Sequence, residues 1–135
     1  MGITMNNITI DKIFEMLSWN NDSETQSNGI EIAKSVKHLS VFFQPIENKA
    51  VWENCAKVIS SKTDEELELY IIPMFEWLQD MNWPGADIIL NRLLKMSCNV
   101  LQISYDIVLT KAKNNNDAVW ISVLEFFKKS HKDIL

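Results

Sequence analysis

The sequence predicts an all-α fold, and three observations carry that expectation. Apolar residues recur at helical spacing, most clearly as Leu67, Ile71, Met74 and Leu78 and then as Ala86, Ile89, Leu90, Leu93 and Leu94. Only three Gly and three Pro occur in 135 residues, too few for the many tight turns of an all-β sandwich. Polar clusters at Asn20-Asn21-Asp22, Asp80-Met81-Asn82-Trp83 and Asn114-Asn115-Asn116-Asp117 interrupt the apolar runs, so helices are expected to follow one another in pairs joined by short turns. With 47% hydrophobic residues the chain is long enough for one domain with a sizeable core, expected over 10–135 after a short tail at 1–9.

Taken in order, a first helix is expected from Ile10 to Trp19, with Ile10, Ile13, Phe14 and Leu17 on one stripe and Asp11 in its first turn. Ser23 is the expected N-cap of a second helix, whose spacing uses Gly29, Ile32, Ala33 and Val36 and which ends near His38. Residues 39–47 are too short for a helix before Pro45 and read as an extended or single-turn connector laid on the core. A third helix runs from Lys49 to Ser61 through Val51, Cys55, Val58 and Ile59. Asp64 is the expected cap of the next helix, and Glu65, Glu66 and Glu68 crowd its first turn, where the dipole favours anions. Pro73 predicts a kink or a fresh start near Ile72, and Pro84 stands where a helix would open. A helix from Val100 to Lys113 is expected to turn Val100, Ile103, Ile107 and Val108 inward. The last, from Ala118 to Lys132, is expected to do the same with Trp120, Val123, Leu124 and Phe127.

Two segments 61 positions apart echo each other. Ile13-Phe14-Glu15-Met16-Leu17 and Met74-Phe75-Glu76-Trp77-Leu78 are each followed by a polar turn and another helical run, and the pair turning at 114–117 is a looser third copy. A helix pair joined so tightly cannot bury both apolar faces alone, so the pairs are expected to stack as a HEAT-like α-α superhelix of six to seven helices. The string Glu76-Trp77-Leu78-Gln79-Asp80-Met81-Asn82-Trp83-Pro84-Gly85-Ala86, with Val51-Trp52-Glu53-Asn54-Cys55-Ala56-Lys57 upstream, resembles a bacterial family of short HEAT-like helical-repeat proteins described only as a domain of unknown function (DUF5071). The resemblance spans about residues 10–130. It implies the fold and no established activity.

The composition bounds function mainly by exclusion. The net charge is −5, with 14 acidic and 6 basic residues over 1–90 against 4 and 7 over 91–135, which argues against a nucleic-acid backbone as the main partner. No apolar run approaches the roughly 20 residues of a membrane span, and the start lacks a signal-peptide pattern, so a cytoplasmic protein is expected. Cys55 and Cys98 stand singly in or beside apolar runs and read as buried small hydrophobes, with no metal and no cofactor expected. The scattered glycines make no phosphate loop, and His38 and His131 read as surface residues rather than bases.

Five tryptophans remain. Trp19, Trp83 and Trp120 are expected to wedge between helix pairs, whereas Trp52 and Trp77, flanked by carboxylates and amides, fit either packing or a hot spot. The expected function is therefore a non-catalytic protein-binding module, with a candidate face of Trp52, Glu53, Glu76, Trp77, Asp80 and Asn82. Its acidity would suit a basic partner, as for an immunity or antitoxin-like protein. Two other classes stay open. One is a nucleic-acid-processing protein using Arg92, Lys95, Lys111 and Lys113. The other is a small-molecule enzyme with an acidic inter-helix pocket, in which Glu76 and Asp80, four apart, share a helical face.

Overall fold

The local rules of capping and breaking lay out the helices. A computed structural model describes residues 9–135; the expected tail lies outside the described residues except for Thr9, which is the N-cap of the first helix and accepts a hydrogen bond from the Lys12 N–H. All regular structure among the described residues is helical, as expected, and it divides into two compact units that meet at Ser61 and Lys62. None of these helices is long and apolar enough to cross a membrane.

In the first unit, α1 (Ile10–Leu17) buries Ile13 and Leu17, while Ile10 stays 40% exposed. Its end is sealed by Asn21, whose amide donates to the carbonyls of Glu15, Met16 and Ser18. Helix α2 (Ser23–Ala33) is capped by Asp22 rather than Ser23: the Asp22 carboxylate accepts the Thr25 N–H at 2.8 Å, and that bond holds its carboxyl below the ordinary range. The helix also stops at Ala33, five residues short of His38, because Ser35 and Val36 take 3₁₀-type bonds back to Ile32 and Ala33. Gly29 sits where α2 crosses α1 so closely that a Cβ would lie 2.8 Å from the Met16 Cβ.

The connector is two 3₁₀ turns, Leu39–Phe42 and Ile46–Val51, with Leu39 and Phe42 buried as the core-packed expectation requires. α3 (Trp52–Ser60) thus starts three residues after the expected Lys49. It buries Val58 and Ile59 and also an amide, Asn54, which donates to the Leu17 carbonyl at 2.7 Å and to the Gln26 side chain at 2.8 Å.

The second unit opens with α4 (Asp64–Leu67). Its N-cap is Thr63 and not Asp64, because Thr63 and Glu66 form a reciprocal capping box; the Thr63 N–H on the Glu66 carboxylate keeps that acid below its usual range. A 3₁₀ turn over Glu68–Tyr70 follows, and α5 (Ile71–Trp77) begins afresh with Pro73 in its first turn, the position where a missing N–H is harmless. Leu67, Ile71, Met74 and Leu78 are all buried.

α6 (Ala86–Leu94) opens after Gly85, which adopts the left-handed conformation at φ 81°, so Pro84 belongs to the turn rather than to the helix. α7 (Cys98–Asn114) starts two residues before the expected Val100. Val108 is buried as expected, but the face it belongs to is otherwise a different one: Leu101, Tyr105 and Ala112 are buried with it, whereas Ile103 and Ile107 are 75% and 48% exposed. α8 (Ala118–His131) is capped by Asp117, as expected, and buries Trp120, Leu124 and Phe127, leaving Val123 only partly covered. Within this unit α5 packs on α6 and α7, and α8 packs on α6 and α7. Phe75, Tyr105 and Phe127 form the aromatic centre, with ring centroids 5.1 to 6.0 Å apart.

Candidate functional site

The six candidate residues divide between the units: Trp52 and Glu53 belong to the first, and Glu76, Trp77, Asp80 and Asn82 to the second. Their chemistry follows from what each touches. An indole buries a large apolar area but carries one N–H that needs an acceptor. The Trp52 ring is 8% exposed and donates to the Pro45 carbonyl at 3.1 Å; the Trp77 ring is 6% exposed and donates to the Pro84 carbonyl at 3.0 Å. Both rings are placed as packing, each locking the turn seven residues away. Trp120 is also placed as packing, but its N–H donates to the Phe75 carbonyl of α5 at 3.1 Å and so ties α8 to that helix.

The polar members of the candidate set lie nearer solvent. Glu53 is exposed and sits 3.8 Å from Lys57 one turn later, an ion pair of small energetic weight. Glu76 meets Lys111 at 2.5 Å and links α5 to α7. Asp80 accepts the Asn82 N–H on its carboxylate at 2.8 Å and the Trp83 N–H on its carbonyl at 3.0 Å, the geometry of an Asx turn. Asp80 therefore lies beyond the end of α5, and the shared helical face expected for Glu76 and Asp80 does not exist.

The family-like string thus reads as a structural device: Trp77 covers the turn, Asp80 folds it, Pro84 supplies the acceptor and Gly85 makes the left-handed step into α6. The cations considered for nucleic acid are also partly engaged. Arg92, 11% exposed, donates to the Asp64 carboxylate at 2.6 Å and to the Lys62 carbonyl at 2.8 Å, tying α6 to the start of α4.

No group of three or more His, Cys, Asp or Glu suited to a metal occurs among the described residues. Cys55 is fully buried, and burial pushes its thiol up to about 12; Cys98, at the start of α7, is only partly covered, which corrects the expectation of two buried thiols. His131 is likewise partly covered rather than a free surface residue. Its Nε2 donates to the Met96 carbonyl at 2.6 Å, its ring lies on Phe127, and Nδ1 is buried without a partner among the described residues. Shallow depressions occur among the described residues. One, of about 390 Å³, lies in the first unit against Lys12, Glu15, Met16, Asn21 and Thr25, and another, of about 440 Å³, lies on α8.

What the sequence missed is a set of apolar side chains left in solvent. Leu69 is 87% exposed among Glu65, Glu66 and Glu68, and Trp19 is 54% exposed although its backbone N–H is anchored on the Ala50 carbonyl. Trp19 therefore does not wedge between helices. On α8, Val119 and Phe126 are 63% and 55% exposed.

No curated protein and no solved structure matches the chain. A family model does match, over residues 47–133, a span that begins in the turn before α3 and takes in both the Trp52 segment and the Trp77-to-Gly85 turn, leaving α1 and α2 outside it. The chain belongs to the family described as domain of unknown function DUF5071.

Proposed function

We propose that this protein is a non-catalytic module that binds another protein through an acidic face of its helices. The observation that carries this reading is the charge of residues 62–90, which hold seven acidic side chains and one basic one, with Leu69 standing 87% exposed among them. An apolar group ringed by polar ones is the usual anatomy of a protein contact, and the carboxylates would steer a basic partner toward it. Glu76, Asp80 and Asn82 belong to the same unit as this acidic segment. Helix pairs of this kind fit a HEAT-like stack, and a bacterial, cytoplasmic protein that neutralises a basic toxin in the manner of an immunity protein would use such a face.

The test is affinity capture from native lysate with the wild type and a Leu69→Lys, Glu65→Lys variant of unchanged circular dichroism and melting. A basic protein retained stoichiometrically by the wild type, lost by the variant and weakened by salt is the expected result. Retention of the same proteins by both forms would reject this face.

A further inference from the structure

The segment that follows α8 is held by few contacts and begins on a strained step. Lys132, the residue after the helix, has φ 74° and ψ −34°, a positive-φ conformation that a side chain with a Cβ rarely adopts and that glycine usually supplies at this position. Strain of this kind persists only where the surroundings impose it. Of residues 132–135 only Ile134 is buried, at 4% exposure, while Lys132, Asp133 and Leu135 face solvent.

The other hold is one side chain of α7. The Gln102 Oε1 accepts the Leu135 N–H at 3.0 Å, and the Gln102 Nε2 donates to the Leu135 main-chain oxygen at 3.4 Å. The same Nε2 donates to the Asp106 carboxylate at 3.1 Å, one turn further along α7, which fixes the orientation of the amide. Gln102 therefore pairs with main chain, and Ile134 fills an aliphatic seat beside it.

We propose that residues 132–135 form a reversible strap on α7, a conformational device that leaves and rejoins its seat as a unit while α7 and α8 stay folded. One buried side chain and two exposed hydrogen bonds close it, and the positive-φ step at Lys132 opposes closure. Burial of one isoleucine and strain at one residue are of similar size, so both states are populated, the open one at about 1–10%. Opening uncovers the aliphatic seat and frees the Gln102 amide for other main chain. The device makes no use of Leu69 or of the acidic residues around it, so it stands or falls independently of the proposed function.

Amide hydrogen exchange followed by NMR on the purified chain tests this. The Leu135 N–H is expected to be protected about ten- to a hundredfold relative to an unstructured peptide, far less than the Tyr105 N–H within α7. Ile134→Ala is expected to remove most of that protection with unchanged circular dichroism. Lys132→Gly is the decisive variant. It relieves the strain, and that gain exceeds the extra freedom glycine gives the open chain, so protection of Leu135 is expected to rise several-fold. A segment that merely frays would loosen instead. Leu135 exchanging as slowly as Tyr105 or as fast as an unstructured peptide, keeping its protection in Ile134→Ala, or failing to gain protection in Lys132→Gly would each overturn the proposal.

Discussion

Asn54 is the one buried polar side chain of the described core, at 3% exposure, and both its bonds come from its amide N–H₂. It joins α3 to the last carbonyl of α1 and to Gln26 of α2, which in turn donates to the Asn21 carbonyl at 2.7 Å. A single residue thus links three helices of the first unit. Asn54→Ala is expected to lower stability by about 1–3 kcal/mol in urea unfolding, since the Leu17 carbonyl is left buried without its donor. Asn54→Asp is expected to cost more at neutral pH than below the carboxylate range, where a proton restores a donor. An Asp variant as stable as the wild type at pH 7 would show that the amide is not the donor.

At the scale of elements, close approach matters more than helix propensity. Replacing an exposed helical Gly by Ala usually adds about 1 kcal/mol of stability. Gly29 is buried in the α1–α2 crossing, where the new methyl would meet the Met16 Cβ at 2.8 Å and its backbone carbon at 3.3 Å. Those atoms are not the ends of flexible chains, so the helices would have to separate. Gly29→Ala is therefore expected to destabilise by about 1–3 kcal/mol, as an overpacked site does, and an increase in melting temperature would refute the crossing. The second unit shows the complementary device at Trp77 and Pro84, where a buried indole holds a turn closed by its N–H rather than by close backbone contact.

For the molecule as a whole, each unit contains one group whose burial resists ionisation at high pH. Desolvation pushes the Cys55 thiol up to about 12 from an ordinary 9. Desolvation, with the charges of Glu125 and Asp106 adding to it, raises the Tyr105 phenol to about 12 from 10. Both folded values lie above the unfolded ones, so the stability they contribute is fully present below pH 9 and is lost as pH rises through 9 to 12. Melting temperature is expected to hold on the neutral side and fall across that window, with a shallower fall above pH 10 in Tyr105→Phe. A flat profile to pH 12 would contradict the burial of both groups.

The sequence by itself determined the helical class, the turns and most helix ends, because these depend on neighbours in the chain: Asp117 caps α8, Pro73 forces a new start, and Asp80 folds the turn before Gly85. Even the misplaced caps, Asp22 for Ser23 and Thr63 for Asp64, erred by one residue. The tertiary structure decided which face each helix buries. α7 carries apolar residues on two faces, Val100, Ile103 and Ile107 on one and Leu101, Tyr105, Val108 and Ala112 on the other, so apolar spacing alone did not choose between Ile103 and Tyr105. The choice fell to Tyr105, whose ring packs with Phe75 and Phe127 and whose hydroxyl reaches the Leu124 carbonyl at 2.7 Å. The candidate site divided in the same way. Glu53, Glu76, Asp80 and Asn82 were legible as polar, solvent-facing groups, whereas the fate of Trp52 and Trp77 depended on carbonyls seven residues distant. Only packing could show that those indoles are sealed while Leu69, Val119 and Phe126 face water.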